Sequence, residues 1–545
     1  MMLHRRFSPI NMLFLSINGI IGSAWLFAPL YSAKIAGSAA IISWLFGGFA
    51  TIIIALTFAE LSTLLPIAGG TTRFAQLTQG VATGFIISWV SWLSCVTMPP
   101  IEVQAVLQYI STYCPSLIQL VNATPVLSHI GLFCATLVMF GLCVLNIASF
   151  KGFIRFNFFI FAFKFLVIVL TIVMLIKTHF QLHNFSGLSF KENTQNWETI
   201  LSAVATGGIA FAFTGFKHGV ELAGETKNPQ FAIPLAIVGS VIICLLLYLG
   251  LQIAFIGALN HDSLSHGWSQ LNFSNDVGPF VGIALMLGLF WLVKLLLVDA
   301  AVSPLGAGLI YVTSTSRIIY AMSKNGYLPA FLSRLSKNHF PVAAIFFNFF
   351  VGLFLFLPLP GWQNMVSFLV SAVVISYAMG PIALVSLRKQ MPDLHRSFRL
   401  PCSTLLSLCA FYFCNLISYW TGWDTLWKLM IAIAIGLFVF TMAYYRKRGN
   451  YQNGFHFKAL FWLVPYLTGL FVISYLGSYG GGKNVLTFGW DFLVIGIFSV
   501  IIFCLAIYFR LSDSAVQQQF AFYQTENTES DETIKNNTGL VGDSV

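Results

Sequence analysis

Charged side chains are scarce in this sequence. Only 8% of the 545 residues are Asp, Glu, Lys or Arg, while 57% are hydrophobic. An average soluble domain is about 25% charged, and a soluble fold could not cover its surface with so few charges. The composition therefore excludes an ordinary soluble protein and predicts helices that face a lipid bilayer.

The patterns of metal sites and of common hydrolases are also missing. The nine cysteines show no C-x-x-C spacing and no cluster with histidine. We interpret them as small core hydrophobes and expect no cofactor. H-E-x-x-H, G-x-S-x-G and the phosphate-binding G-x-x-x-x-G-K-[ST] do not occur, which argues against an enzyme. A membrane-embedded enzyme stays an alternative at this point.

Apolar runs of roughly 20 residues, the length that crosses a bilayer, recur along the chain. They predict twelve to fourteen transmembrane helices, and fourteen is the favoured count. The predicted spans lie near residues 10–33, 37–62, 83–111, 127–148, 154–177, 199–221, 231–257, 289–323, 341–358, 363–386, 403–421, 425–445, 459–476 and 487–510.

A long polar segment at 178–198 divides the first ten spans into five and five. Five spans invert the membrane orientation of whatever follows them. The sequence therefore predicts a first inverted repeat at 1–178, a second at 199–386 and additional helices at 403–510. The polar residues 511–545 predict a disordered cytoplasmic tail.

Basic residues are unevenly distributed among the predicted loops. With the N-terminus in the cytoplasm, the inner loops hold most of the Lys and Arg, and the outer loops hold only Lys34, Lys177, Lys191, Lys428 and Lys483. This asymmetry predicts a multi-pass plasma (cell inner) membrane protein with both termini in the cytoplasm. It also accounts for the net charge of +10 without nucleic acid as a partner.

Glycine-rich sequence interrupts spans 1 and 6 at mid-depth, as GIIGSA at 19–24 and GGIAFAFTGFKHG at 207–219. Glycine in a helix interior costs about 1 kcal/mol. Unwinding exposes N–H groups that attract a carboxylate and carbonyls that attract an ammonium. Breaks at matching positions of two inverted halves indicate a transporter site for a zwitterion. Close helix packing by small residues is the alternative.

Four segments carry a family resemblance, namely NGIIGSAWLFAP at 18–29, FAELSTLLPIAGGTTRFAQ at 58–76, FAFTGFKHGVELAGETKNPQFAIP at 211–234 and SPLGAGLIYVTSTSRIIYAMSKNGYLP at 303–329. In combination and order they resemble the amino acid–polyamine–organocation superfamily. The resemblance implies an all-α polytopic membrane protein with a leucine-transporter-type fold of 5+5 inverted repeats. It also implies an amino-acid permease similar to bacterial acidic amino acid/proton symporters.

The resemblance further implies which residues bind substrate. Matching motifs place the substrate carboxylate at the amides around Gly22, Ser23 and Ala24. They place the ammonium, next to the second break at Gly215, at the carbonyls of Ile20, Phe211 and Thr214. Phe211 stands where the family often has an aromatic gate. Ala24 replaces the usual glycine and narrows the site, and Lys217 follows Gly215 where many members carry glutamate.

Ionisable residues inside spans are functional hypotheses, because each costs at least about 2.5 kcal/mol at a helix centre. The resemblance places the Lys164 amine where relatives hold sodium, which predicts proton coupling over a structural role. Glu102 could bind a proton or pair within the protein. Lys217 could pair with the side chain of aspartate or glutamate, or with a protein acid such as Glu102 or Glu221.

Acidic and basic residues near the cytoplasmic face predict an inner gate. We expect Glu60, Glu221 and Arg317 to form salt bridges there, together with Glu225, Arg73 and Lys227. A solvated rim is the alternative.

A secondary active amino-acid transporter, with proton-coupled symport of aspartate or glutamate by alternating access, is the first interpretation. An exchanger, or a permease for neutral amino acids or polyamines, is the second. A channel or a nutrient sensor on the same scaffold is a third. The expected partners are an amino acid, protons and the lipid bilayer.

Overall fold

The computed structural model of the chain describes residues 7–67, 69–121, 124–148, 150–188, 196–271, 278–336, 340–446 and 460–520. Within these ranges the chain is almost entirely helical. A short antiparallel hairpin of β1 (Ile118–Val121) and β2 (Thr124–Leu127) joins two of the helices. Lys191 and residues 521–545 of the predicted tail lie outside the described residues.

The helices of the first half are α1 (Pro9–Ile20), α2 (Ala24–Ala36), α3 (Ala40–Leu64), α4 (Gly70–Gln79), α5 (Val81–Ile110), α6 (His129–Ala148), α7 (Phe150–Thr178), α8 (Asn196–Thr206), α9 (Ile209–Ala212), α10 (Lys217–Glu221), α11 (Pro229–Pro234) and α12 (Ser240–Gly257). Those of the second half are α13 (His261–Leu264), α14 (Pro279–Met286), α15 (Phe290–Lys324), α16 (Val342–Leu355), α17 (Trp362–Tyr377), α18 (Met379–Gln390), α19 (Ser403–Trp420), α20 (Trp423–Arg446), α21 (Leu460–Leu476), α22 (Trp490–Tyr508) and α23 (residues 513–520).

Apolar helices long enough to cross a membrane dominate the described residues. Ten qualify by length and composition, or eleven if the bent pair 197–206 and 209–221 forms one span. The shorter apolar helices α1, α16 and α21 add to these. A polytopic all-α membrane protein is thereby confirmed, while the number of crossings and the inverted repeat stay predictions.

The most buried helices lie at the centre of the bundle. All of the apolar window of 362–390 is buried, and so is 94% of that of α5, whereas only 33% is buried in α6 and in the apolar part of α7. Most of the apolar window is exposed in α6 and in α7. Because side chains that face lipid are apolar, these two helices are suited to the periphery of the bundle. The polar side chains of α5, α17 and α18 therefore face other helices, and the site described below lies beside them.

Both predicted helix breaks are present. In span 1, α1 ends at Ile20 and α2 begins at Ala24, with no helix between them. In span 6 the axis bends by 42° at Gly208. This residue has φ +90°, a left-handed conformation that glycine adopts without strain. A 3-10 turn at Thr214–Phe216 follows before α10.

The tail begins later than the sequence predicts. Residues 513–520 form α23, and Leu511, Val516 and Phe520 are buried. The N–H of Leu511 donates to the Thr78 carbonyl at 3.0 Å, and Gln390 Nε2 donates to the Leu511 carbonyl at 2.8 Å. The polar composition predicted disorder here. Val516 and Phe520 lie four positions apart, so they share one face of α23 and pack against the bundle.

Candidate functional site

The two helix breaks touch one another through their backbones. A Cβ atom added to Gly215 would overlap backbone atoms of Gly19 and Ile20. Only glycine therefore permits this approach of α1 to the turn before α10. The amide end of α2 and the irregular carbonyls of span 6 are thus neighbours. Every residue predicted to bind substrate is buried here: Ile20, Gly22, Ser23, Ala24, Phe211, Thr214, Gly215 and Lys217.

The amides at the start of α2 hold a carboxylate of the protein itself. The N–H of Ser23 donates to Glu102 Oε2 at 2.7 Å. A Cβ atom on Gly22 would overlap the same carboxyl group. The first N–H groups of a helix lack intrahelical acceptors and favour a negative charge. Glu102 of α5 therefore occupies the position that the sequence predicts for a substrate carboxylate.

The carbonyls predicted to bind the ammonium each accept one hydrogen bond from a hydroxyl. Tyr248 Oη donates to the Ile20 carbonyl at 3.0 Å. Thr214 Oγ1 donates to the Phe211 carbonyl at 2.8 Å, and Tyr377 Oη donates to the Thr214 carbonyl at 3.1 Å. Each carbonyl also accepts a backbone N–H, from Gly22, Phe213 and Lys217 respectively, so both of its lone pairs already have donors.

Trp362 covers the site from the start of α17 and was not predicted from the sequence. Its Nε1–H donates to Ser23 Oγ at 2.9 Å. The indole stacks on Tyr31 at 5.4 Å and meets Phe211 edge-on at 5.6 Å. A tryptophan at the end of a span is common at membrane interfaces, so the sequence offers no signal that separates this residue from an anchor.

Lys164 binds the opposite side of the first break. Its Nζ donates to the Ile21 carbonyl at 2.7 Å and to the Asn18 carbonyl at 3.3 Å, and the side chain is fully buried. The amine therefore satisfies carbonyls that the end of α1 leaves without helical partners. The break in span 1 thus has a cation at its carbonyl end and an anion, Glu102, at its amide end.

Lys217 forms a buried cluster with α5 and with its own helix. Its Nζ lies 3.3 Å from Glu221 Oε1, 2.5 Å from Ser91 Oγ and 3.4 Å from Cys95 Sγ. Of the two protein acids that the sequence suggested as partners, Glu221 is the one present, because residues four apart share a helix face.

A small gap beside Lys217 lies next to the second break. It contains about 170 Å³ of empty space and is lined by Ser94, Cys95, Met98, Thr214, Lys217, Tyr311, Leu369, Val373 and Tyr377. Polar groups of four chain segments converge on this gap, from α5, α15, α17 and the second break.

The predicted gate residues belong to three separate ion pairs. Glu221 pairs with Lys217, because residues four positions apart share a helix face. Arg317 of α15 pairs with Glu225, which follows α10. Glu60 belongs to a third group on a different pair of helices. The role of these residues as a cytoplasmic gate stays a prediction.

The third ion pair is the most elaborate. Glu60 of α3 receives two hydrogen bonds from Arg388 of α18, at 2.6 and 2.9 Å. The Leu400 N–H donates to the same carboxylate at 2.7 Å, and Arg396 Nε lies 3.4 Å away. A bidentate arginine pair is among the stronger ionic contacts in proteins. It ties span 2 to span 10 and to the loop after it.

The chain resembles known proteins over most of its length. Residues 7–440 match the family model described as amino acid permease. The chain is 38% identical over 517 residues to the glutamate/serine transporter AimA of Bacillus subtilis (strain 168), covering 93% of the chain and 94% of that protein. It is 34% identical over 511 residues to the aspartate-proton symporter of the same organism, covering 93% and 97%.

Proposed function

The chain belongs to the amino acid permease family, and from this premise we propose that it carries an acidic amino acid together with protons across the plasma membrane. It is a permease and not an enzyme, as the sequence predicts. The observation that carries the proposal is the backbone contact of two broken helices at Gly215, which sets amides beside carbonyls.

A zwitterion suits this contact. The substrate carboxylate binds the amides at the start of α2, around Ser23, where the helix dipole favours an anion. The ammonium binds the Ile20, Phe211 and Thr214 carbonyls in place of the hydroxyls of Tyr248, Thr214 and Tyr377 that donate to them here. Trp362 covers one side of the site and keeps water out of it. The lower dielectric constant strengthens each of these charge-assisted hydrogen bonds.

Lys217 is the proposed determinant of acidic substrates. It lines the gap beside Thr214, and its charge already attracts Glu221 at 3.3 Å. A substrate side-chain carboxylate within about 4 Å of the same amine gains a favourable interaction in a site of low dielectric constant. The names of both relatives include an acidic amino acid, glutamate in one and aspartate in the other, which supports an acidic substrate.

Proton coupling is proposed to reside in Lys164 and Glu102, the two ionisable groups bound to the first break. The name of the aspartate-proton symporter supports a proton as the coupled ion. In alternating access, the Glu60–Arg388 and Glu225–Arg317 pairs close the cytoplasmic side in one state. We further propose that both termini lie in the cytoplasm. The first five spans and the next five then form inverted repeats.

Transport by proteoliposomes tests the proposal. We expect aspartate or glutamate uptake when an inward proton gradient is imposed, and no uptake when the gradient is collapsed. In Lys217→Ala, acidic amino acids should lose their competition with serine uptake while serine uptake itself persists. Glu221→Gln is the matched control, because it changes the partner of Lys217 and keeps the cation. Unchanged competition by aspartate in Lys217→Ala contradicts the proposed role.

The second candidate function is the exchange of small neutral amino acids, and two observations favour substrates of this kind. Ala24 replaces the usual glycine and narrows the site, and serine is part of one relative's name. Counterflow separates the two candidates, since an obligate exchanger takes up labelled amino acid only when amino acid is present inside the vesicle.

A further inference from the structure

The N–H group of Ser23 has two possible carboxylate acceptors, that of Glu102 and that of a bound substrate. The Ser23 N–H donates to Glu102 Oε2 at 2.7 Å, and the Glu102 side chain is 1% exposed. The other oxygen, Oε1, lies against Gly22, where a Cβ atom would overlap it. A substrate carboxylate bound at these amides would have to occupy the volume that the Glu102 carboxyl group fills.

The two ends of the zwitterion site differ in what a substrate displaces. At the carbonyl end, the side-chain donors to Ile20, Phe211 and Thr214 are neutral hydroxyls, whose O–H groups can rotate toward other acceptors when an ammonium binds. At the amide end, the Ser23 N–H has a single hydrogen and already donates to a carboxyl group. The amide end cannot hold Glu102 and a substrate carboxylate together, so only there does a substrate displace a carboxyl group.

We propose that the substrate carboxylate displaces Glu102 from the Ser23 amide, and that Glu102 takes up one proton from water as it leaves. This inference rests on the proposed binding of an amino acid at the first break. The O–H bond of Glu102 forms as a bond to the proton breaks in hydronium or in a buffer acid, and no other covalent bond changes. Glu102 and the substrate carboxylate thus alternate as the anion at the start of α2.

The charges around Glu102 explain why the proton is taken up. The facing cation is Lys164 on α7, which also interacts with Asp299 on α15. Tyr248 on α12 and Tyr311 on α15 are the other titratable groups nearby. One cation at the break balances one anion there. Two carboxylates in a buried site repel each other, which favours the protonated form of one of them.

Protonation also removes the cost of the displaced side chain. A buried carboxylate that loses its hydrogen-bond donor carries an uncompensated charge, whereas a protonated carboxyl can donate its O–H to a neighbour. Substrate binding and proton binding are then linked, and each strengthens the other by the same factor. Glu102 acts as an internal competitor that sets the proton dependence of substrate affinity.

Proton uptake on binding can be measured with the full-length protein in detergent. Aspartate titrations by calorimetry, repeated in buffers of different ionisation enthalpy, give the number of protons taken up. We expect close to one proton in the wild type, and a dissociation constant that rises about tenfold per pH unit where this proton is linked. Glu102→Gln should take up no proton and should bind aspartate with a pH-independent constant.

The controls separate this inference from the proposed function. Glu102→Gln keeps the side-chain oxygen that accepts from Ser23, so the fold is retained, and Glu102→Asp should restore proton uptake. Asp491→Asn removes a buried carboxyl at the start of α22 and keeps an oxygen that accepts from Gly489, so it should leave the proton number unchanged. Equal proton uptake in the wild type and Glu102→Gln overturns the inference while the permease function stands. Failure of the wild type to bind any amino acid overturns the proposed function itself.

Discussion

Trp362 is expected to hold the site closed, and its substitution should open it measurably. Trp362→Phe keeps an aromatic ring against Tyr31 and Phe211 but loses the 2.9 Å hydrogen bond to Ser23. Such a bond contributes about 0.5–1.5 kcal/mol net. Since 1.4 kcal/mol is a factor of ten in an equilibrium constant, the ratio of open to closed states should rise roughly two- to tenfold.

Trp362→Ala should have a larger effect, because it also removes the stacking contacts. Truncating a buried tryptophan costs about 3–5 kcal/mol, which corresponds to a shift of more than a hundredfold if the closed state bears the loss. Both substitutions act on the closed state, in which the indole is 1% exposed. The ratio of open to closed states should therefore be higher in Trp362→Ala than in Trp362→Phe, because Trp362→Ala loses more contacts.

Cys95 reports the opening, because it lines the gap below Trp362 and is buried. A membrane-impermeant thiol reagent is added outside proteoliposomes, and mass spectrometry follows the modification of Cys95. The rate should rise in Trp362→Phe and further in Trp362→Ala, and aspartate should slow it. Trp462→Phe is the control, since the buried Trp462 of α21 donates to Gln79 of α4 and does not line the gap. Equal rates in all folded variants refute a closing role for Trp362.

The remaining predictions concern the breaks and the ion pairs. Lys164→Ala removes the cation bound to the end of α1, so proton-driven uptake should fall to that of empty liposomes; full uptake contradicts its role in coupling. Gly215→Ala presses a methyl group against the backbone of α1 and adds about 1–3 kcal/mol of strain. Its aspartate affinity should fall roughly fivefold or more, with helix content by circular dichroism unchanged. Glu60→Gln leaves Arg388 without its carboxylate and should lower the free energy of unfolding by about 3–5 kcal/mol. A thermal melt at neutral pH within one degree of the wild type contradicts that estimate.

The helix breaks could be predicted from the sequence because their cause is local. Glycines that weaken a helix lie three positions apart at 19 and 22 and next to one another at 207 and 208, and the structure interrupts the helices at both places. The spans could be predicted for the same reason, since apolar length alone favours a helix in lipid. Both signals are contained within some twenty neighbouring residues.

The partners of the site residues could not be predicted, because they come from distant segments. Glu102 was recognised as a candidate, but Ser23, to which it binds, is 79 positions away. Glu60 pairs with Arg388, 328 positions away, although closer cations were available in sequence. Trp362 carried no signal that distinguishes a lid from a membrane anchor. Which buried groups meet depends on helix packing, which no local pattern encodes.

The docking of residues 511–520 has a consequence for how the protein is made. Leu511 binds Thr78 at the end of α4, and Gln390 binds Leu511, so α4 acquires this partner only after almost the whole chain has left the ribosome. Until then, one face of an early helix remains uncovered. Truncations before residue 520 should therefore act during biogenesis, as a loss of membrane-integrated protein, before they alter the rate of transport.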